Sequence, residues 1–209
     1  MATPPFDLAA ACKHVSRRDR TLGRVIREVG PCGLEIAARQ SPYEALAESI
    51  VYQQLSGRAA ATIYGRFCGL YGSRRCPRPQ AVLDTELTRL RSAGLSRTKA
   101  EALRDLAAKA LDGTVPTRAR TERLSDEEIV ERLTAVRGVG RWTVEMFLIF
   151  TLGRPDVLPV DDYGVRKGFA CAFGRRVLPR PKELAGHGEA WRPYRTVASW
   201  YLWRANDAA

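Results

Sequence analysis

The sequence predicts an all-α fold of roughly nine helices. Apolar residues recur at intervals of three and four residues, which places them on one face of a helix. Capping boxes begin at Ser41 and Ser125, and glycines stand where the apolar stripes end. No segment alternates apolar and polar residues between turn signals, as a half-buried strand does. We therefore expect helices packed on helices.

The same signals predict the position of each helix. Most of the expected helices begin at a Ser, Pro or Asp and end before a Gly or Pro. In order they cover about 42–54, 56–72, 80–93 as one or two short helices, 96–113, 125–138, 141–152 and 161–173, with two more after Pro181 and Pro193. Residues 141–152 are apolar nearly all round, which is typical of a helix buried in the middle of a protein.

The composition is that of a globular, strongly basic chain. Its 209 residues include 34 Lys plus Arg against 23 Asp plus Glu, so the net charge is +11, and most of the basic residues are Arg. Arg binds phosphate oxygens through its planar fork and stacks on bases, so nucleic acid is the leading candidate partner. A solvated, Arg-rich surface that reflects genome composition explains the charge equally well.

Several classes of protein are excluded. The most apolar stretch, 144–152, contains Glu145 and is far shorter than the roughly 20 residues that span a bilayer. The first residues lack the basic and apolar regions of a secretory signal, so we expect a cytoplasmic protein, associated with the nucleoid if bacterial. Five cysteines without a C-x-x-C pair and two distant histidines favour neither a disulfide framework nor a metal site.

A glycine hairpin separates the helices on either side of Gly138-Val139-Gly140. Two glycines permit positive φ and the close approach of another backbone, and the amides of the following helix start can face an anion. This pattern is typical of a phosphate clamp, but on its own it is more often an ordinary tight corner between two helices. A dinucleotide-binding fingerprint is excluded because no strand precedes the glycines.

Two further features indicate chemistry without proving it. Asp161 and Asp162 precede a predicted helix, so that one can cap the helix while the other is free to act as a carboxylate. The last eighteen residues interleave aromatic rings with Arg, an arrangement suited to stacking on nucleobases. Taken singly, both carboxylates can be caps or surface groups, and the aromatic rings can belong to a helix that docks on the core.

Five segments in this order resemble the helix-hairpin-helix DNA glycosylases, specifically the 3-methyladenine DNA glycosylase II (AlkA-like) group. They are Ser49–Ser56, Leu90–Ala100, the hairpin with Trp142 and Thr143, the loop 161–163, and Trp191–Arg195 leading to Trp203. The resemblance covers most of the chain, from about Tyr43 to Trp203. It implies a helix-hairpin-helix glycosylase fold, with two helical subdomains and a cleft between them.

The resemblance also implies the domain boundaries. Residues 1–40 are expected to pack with the C-terminal helices, and they are too few for the N-terminal β domain of larger members. Residues 41–155 would form the subdomain that contains the helix-hairpin-helix at 133–152. Residues 156–209 would carry the catalytic loop and close the cleft.

Each site residue receives a role from the family pattern. Asp162 is the expected catalytic carboxylate, which leaves Asp161 as the helix cap. The expected residues around the extruded base are Trp142, Tyr163 and Trp203, with Met146 at a place where some relatives have an aromatic ring. The hairpin amides of Gly138, Val139 and Gly140, helped by Thr143, would hold DNA phosphate, often with a bound monovalent cation. The residue that fills the gap in the duplex would be Gln54 or Leu55.

The family pattern implies a base-excision-repair enzyme that flips out alkylated bases of the 3-methyladenine and 7-methylguanine class from double-stranded DNA. Lyase-competent relatives carry a Lys where this chain has Trp142, so we expect a monofunctional N-glycosyl hydrolase. We expect no cofactor, no catalytic metal and no membrane partner, and a monomer. Two alternatives stay open: a non-catalytic DNA-binding module, and a glycosylase/lyase of oxidised bases that uses another Lys, such as Lys167.

Overall fold

The computed structural model describes residues 2–37 and 40–207. Over these residues it contains helices and no strands, with a single isolated bridge between Ala2 and Ile36, which confirms the predicted all-α class. The α-helices are α1 (Leu8–Arg18), α2 (Arg20–Val29), α3 (Pro42–Tyr52), α4 (Gly57–Gly69), α5 (Pro79–Leu83), α6 (Leu87–Ser92), α7 (Arg97–Leu111), α8 (Arg118–Thr121), α9 (Asp126–Thr134), α10 (Arg141–Phe147), α11 (Tyr163–Ala172), α12 (Pro181–Gly188) and α13 (Arg195–Asp207). A π-helix spans Leu148–Leu152 and a 3-10 turn spans Glu189–Trp191.

The helix starts that the sequence marks most strongly are confirmed. The Ser41 and Ser125 side chains accept from the amides of Glu44 and Glu128, and both glutamates bond back to the cap backbone. Ser96 accepts from the amide of Lys99 at the start of α7. Each cap satisfies amides that have no partner inside the helix, so the backbone enters the helix at a defined residue.

Three features differ from the sequence-based expectation. Residues before position 40 form two helices, α1 and α2, which the punctuation did not predict. A short helix, α8, lies in a segment where no helix was expected. The buried helix over 141–152 is α-helical only to Phe147 and continues as a π-helix. The backbone hydrogen bonds of a π-helix join residues five apart, whereas those of an α-helix join residues four apart. Short π-helical segments of this kind are frequent at functional sites.

The chain divides into two compact units, Met1–Ala38 with Leu148–Ala209 and Arg39–Phe147. We expected the middle subdomain to end at residue 155, whereas the second unit ends at Phe147, where α-helix gives way to π-helix. The first unit is built from both ends of the chain, because α1 and α2 pack against α13.

In the first unit, α11 packs closely against α13. A Cβ at Gly168 would overlap the carbonyl oxygen of Leu202, so only glycine allows this approach. Trp191 and Tyr201 are fully buried in the same core. These two aromatic residues therefore serve the core, as the docking-helix alternative predicts.

In the second unit, α3 and α7 are the central helices. α3 packs against α4, α7 and α10, and α5 and α6 pack on α7. The apolar face of α7 includes the buried residues Ala100, Leu103, Leu106 and Ala107. The hairpin between α9 and α10 lies on the same helix, since Gly138 would place a Cβ 3.8 Å from Cβ of Ala102.

Candidate active site

The half-buried Asp162 is the N-cap residue of α11. Its Oδ1 atom accepts a hydrogen bond from the amide of Val165 at 2.7 Å and another from the indole Nε1 of Trp203 at 2.9 Å. The prediction that Asp161 caps this helix is therefore wrong. Asp161 is exposed and stands one residue too early, because the first helical residue is Tyr163.

The ring of Trp203 is fixed on more than one side. It stacks on Phe150, with ring centroids 5.7 Å apart and planes inclined by 29°. A Cβ at Gly164 would lie 2.9 Å from Cδ1 of Trp203 and 3.1 Å from Oδ1 of Asp162, so a side chain there would push the two groups apart. Phe150 and Gly164 are site residues that the sequence analysis missed. The only local signal was a glycine directly after Asp-Asp-Tyr.

The other predicted base-binding residues fall into two sets. Tyr163, in the same unit as Asp162, is 65% exposed and presents its ring to solvent. In the unit Arg39–Phe147, Trp142 is 47% exposed and Met146 is half-buried, both on α10. The rings of Trp142 and Tyr163 are therefore accessible from solvent.

The hairpin has the geometry of a tight turn. Gly138 adopts φ 76°, where a side chain would be strained, and both hairpin glycines are exposed. The Val139 amide donates to the carbonyl of Val136 at 3.0 Å, and its side chain is buried. Val139 therefore closes the turn, and its amide is not directed at a ligand. Thr143 is also buried, within the first turn of α10.

Two carboxylates on α7 anchor the hairpin. The amide of Arg137 donates to Oδ2 of Asp105 at 2.7 Å, and its guanidinium pairs with Glu101 at 2.9 Å. After the turn, Arg141 pairs with the buried Glu145 at 3.1 Å. The bond from the Arg137 amide to Asp105 fixes the backbone directly before Gly138 to α7.

The turn after α3 carries the two candidate gap-filling residues. Gln54 is the one described non-glycine residue with positive φ, at 58°, and Leu55 is 39% exposed. This region costs an ordinary side chain of order 1 kcal/mol, and glycine or asparagine normally occupies it at a helix end.

Neither a metal-binding cluster nor a membrane-spanning helix is present in the described part of the chain. Among residues 2–37 and 40–207, no group of three or more His, Cys, Asp or Glu side chains could hold a metal ion. The five cysteines are free thiols. None of the helices in the described segments is long and apolar enough to cross a membrane.

A family model described as HhH-GPD superfamily base excision DNA repair protein matches residues 47–193. The chain belongs to this family. The match covers more than half of the sequence and includes the hairpin, Asp162 and the turn that carries Gln54. It confirms the predicted helix-hairpin-helix glycosylase fold and the predicted class, a DNA glycosylase of base excision repair.

Similar proteins agree with this assignment. DNA-3-methyladenine glycosylase 1 of Schizosaccharomyces pombe is 36% identical, over 94% of this chain and 86% of that protein. The solved structure of Mag1 from the same yeast, in complex with abasic DNA, has a TM-score of 0.81 and covers 93% of this chain and 95% of that one, at 36% identity. A DNA-3-methyladenine glycosidase from Bacillus halodurans has a TM-score of 0.85 at 37% identity, covering 94% of this chain and 88% of that one.

Proposed function

We propose that this HhH-GPD protein extrudes alkylated bases of the 3-methyladenine and 7-methylguanine class from duplex DNA and hydrolyses the N-glycosidic bond. The observation that carries the proposal is the fixed carboxylate of Asp162, held through Oδ1 by Val165 and Trp203. A side chain held by two donors keeps its position while charge develops on a substrate, which is the requirement for electrostatic catalysis.

Asp162 would stabilise the positive charge that forms on the sugar as the glycosidic bond breaks. The bonding electron pair leaves with the base, and a base that already carries a positive charge becomes neutral without receiving a proton. A water molecule then adds to C1′ of the sugar, and Asp162 orients this water and accepts its proton. The products are the free base and an intact abasic site.

We assign base recognition to the exposed rings of Trp142 and Tyr163, with Met146 as an adaptable neighbour. An N-alkylated purine is cationic, and an aromatic face attracts a cation by about 0.5 to 2 kcal/mol. Trp203 was expected in the same pocket. Its hydrogen bond to Asp162 and its stacking on Phe150 support a second role, orientation of the carboxylate.

We propose that the hairpin binds the DNA backbone through Gly138, Gly140 and the first turn of α10, which includes Thr143. The first amides of a helix have no partner inside it and are attracted to phosphate. Val139 is not among the proposed phosphate-binding residues, because its amide donates to the carbonyl of Val136 within the turn. The carbonyls of Val136 and Gly138 already accept N–H groups, so a monovalent cation would share them, and no step of the mechanism depends on it.

The reaction would be hydrolysis without strand cleavage. The Schiff-base mechanism needs an amine that attacks the sugar, and an indole at position 142 cannot supply one. Lys167, half-buried on α11, is the lysine to test for the alternative lyase. Borohydride trapping would link a Schiff-base enzyme covalently to DNA, and we expect no linked species. We also expect the protein to act as a monomer on one duplex.

The decisive experiment compares Asp162→Asn with Asp161→Asn. Asparagine retains an oxygen that can accept from Val165 and Trp203, so the helix cap survives while the negative charge is lost. We expect Asp162→Asn to bind damaged DNA and lose release of 3-methyladenine, measured by chromatography of free bases. The exposed neighbour Asp161 provides the matched charge control and should keep its activity.

Strand breaks are scored before and after alkali in the same samples. Breaks that appear only after alkali indicate a monofunctional enzyme. Retention of most activity by Asp162→Asn would remove Asp162 from the chemistry. Tight DNA binding by wild type and both variants with no release of base would favour the non-catalytic DNA-binding module.

A further inference from the structure

The turn between α3 and α4 is held by a lysine from another helix. The Nζ atom of Lys99, on α7, donates to the carbonyl oxygens of Val51 and Gln53, at 2.7 Å in each case. These carbonyls belong to the end of α3, where backbone acceptors have no partner within the helix. Lys99 therefore fixes the direction in which the chain leaves α3, directly before Gln54.

A second side chain links this turn to the hairpin. Nε2 of Gln53 donates to the carbonyl oxygen of Gly138 at 2.9 Å. Gly138 opens the segment that we propose as the phosphate-binding site, and Gln53 stands next to the two candidate gap-filling residues. This hydrogen bond couples the position of the turn to that of the hairpin, because a shift of the hairpin by one bond length would break it.

The backbone of the turn explains why such support is needed. Gln54 lies at φ 58°, a conformation that a short exposed turn would readily leave. A side chain that enters a DNA duplex must resist the restacking of the bases around it. A strained turn whose residues Gln54 and Leu55 are exposed meets this requirement only if contacts from other elements hold the backbone on either side.

We propose that Lys99 and Gln53 are positioning residues that hold the turn 53–55 rigidly against the hairpin, so that phosphate binding and filling of the gap in the duplex act as one device. The proposal rests on the proposed function, because it takes Gln54 and Leu55 as the gap-filling residues. Both side chains bond to backbone carbonyls of the protein, and we assign them no part in the chemistry. Their removal should impair extrusion of the base and leave the chemical step itself intact.

The test uses Lys99→Met and Gln53→Leu, which remove the donors and keep most of the apolar part of each side chain. Lys182→Met removes one exposed ammonium group and controls for charge. Gln80→Leu removes an exposed amide that bonds to Asp84 and controls for loss of a glutamine in the same unit. All variants are studied in the full chain, with thermal melting as a check of folding.

The first readout is insertion into DNA that contains no base to excise. A duplex with a tetrahydrofuran abasic analogue carries 2-aminopurine beside the gap, and its fluorescence reports the change in stacking at saturating protein. We expect Lys99→Met and Gln53→Leu to lose more than about half of the wild-type change, because the inserted group is no longer held in place. The two controls should match the wild type.

The second readout is the rate of 7-methylguanine release from two substrates. One has the lesion in a fully paired duplex, and the other has it in an unpaired bulge, where extrusion costs little. Lys99→Met loses bonds from a charged donor and should lower the rate on the paired substrate about tenfold or more. Gln53→Leu loses a bond from a neutral donor and should lower this rate about fivefold. The rate on the bulged substrate should stay within about twofold.

Two results would overturn the proposal. One is wild-type fluorescence change and wild-type rates in both variants. The other is an equal loss of rate on the paired and bulged substrates with a normal fluorescence change, since that pattern belongs to the chemical step. If Lys99→Met fails to fold, Gln53→Leu decides alone. If the wild type releases no base, the proposed function fails. The fluorescence of the abasic duplex then still tests whether Lys99 and Gln53 hold the turn 53–55 in place.

Discussion

Replacing Trp203 by Phe tests whether its indole orients the carboxylate of Asp162, for which we propose the catalytic role. The change deletes the Nε1–H donor that lies 2.9 Å from Oδ1 of Asp162 and keeps an aromatic ring to stack on Phe150. The amide of Val165 still binds the same oxygen, so the carboxylate remains a helix cap. The variant therefore removes one of the two donors described for this oxygen without unfolding the loop.

The magnitude follows from the type of bond. A hydrogen bond to an ionised group contributes about 1.5 to 3 kcal/mol. If the whole of this is lost in the transition state and none in the ground state, the excision rate falls by roughly 10- to 100-fold and substrate affinity stays constant. A loss confined to affinity would instead mean that Trp203 acts as a stacking surface for the base.

The assay is single-turnover release of 7-methylguanine from duplex DNA, with binding to the same DNA measured separately. Trp200→Phe is the matched control, because Trp200 lies on the same helix and contacts Arg204 by a cation–π interaction. It should keep the wild-type rate. A rate within about twofold of wild type for Trp203→Phe would refute an orienting role for the indole.

Two predictions concern stability. Gly168→Ala places a Cβ on the carbonyl oxygen of Leu202, so α11 and α13 must separate, and we expect a loss of about 3 kcal/mol or more in the free energy of unfolding, measured by urea titration. Burial raises the pKa of Asp19, but hydrogen bonds from His187 and Trp191 outweigh it and leave the pKa below its usual value. The stabilisation by the ionised Asp19 is complete above the unfolded pKa of about 3.9 and is lost as the pH falls through the folded pKa. Below about pH 4, the urea midpoint of Asp19→Asn should therefore depend less on pH than the midpoint of the wild type.

The helices that the sequence predicted well are those with local punctuation. The caps at Ser41, Ser96 and Ser125 specify a start within a few residues, whatever the rest of the chain does. Helices α1 and α2 were missed although Asp7 caps the start of α1 and Gly30 ends α2, and only the boundary between them lacks a loop signal. Asp19 is both the C-cap of α1 and the N-cap of α2, so no Gly or Pro loop marks the change.

Only those site residues that belong to short sequence motifs could be predicted from the sequence. The family pattern pointed to Asp162, but its indole partner is 41 residues away in sequence, and no periodicity connects the two. The same holds for Lys99 and Gln53, which are 46 residues apart. Contacts of this range depend on how helices pack, and the sequence alone states only that they pack on an apolar face.

The proposed catalytic role of Asp162 would join helix capping and catalysis in one residue. A catalytic carboxylate must accept hydrogen bonds from fixed donors, because otherwise it rotates away from the charge that develops on the substrate. In this chain Oδ1 receives both the helix amide and the indole, so the atom that caps α11 also sets the direction of the carboxylate. A cap on Asp161 would leave the carboxylate of Asp162 without its hydrogen bond from the Val165 amide. Capping α11 fixes the Asp162 side chain to the helix, and this is the rigidity that the proposed catalytic role requires.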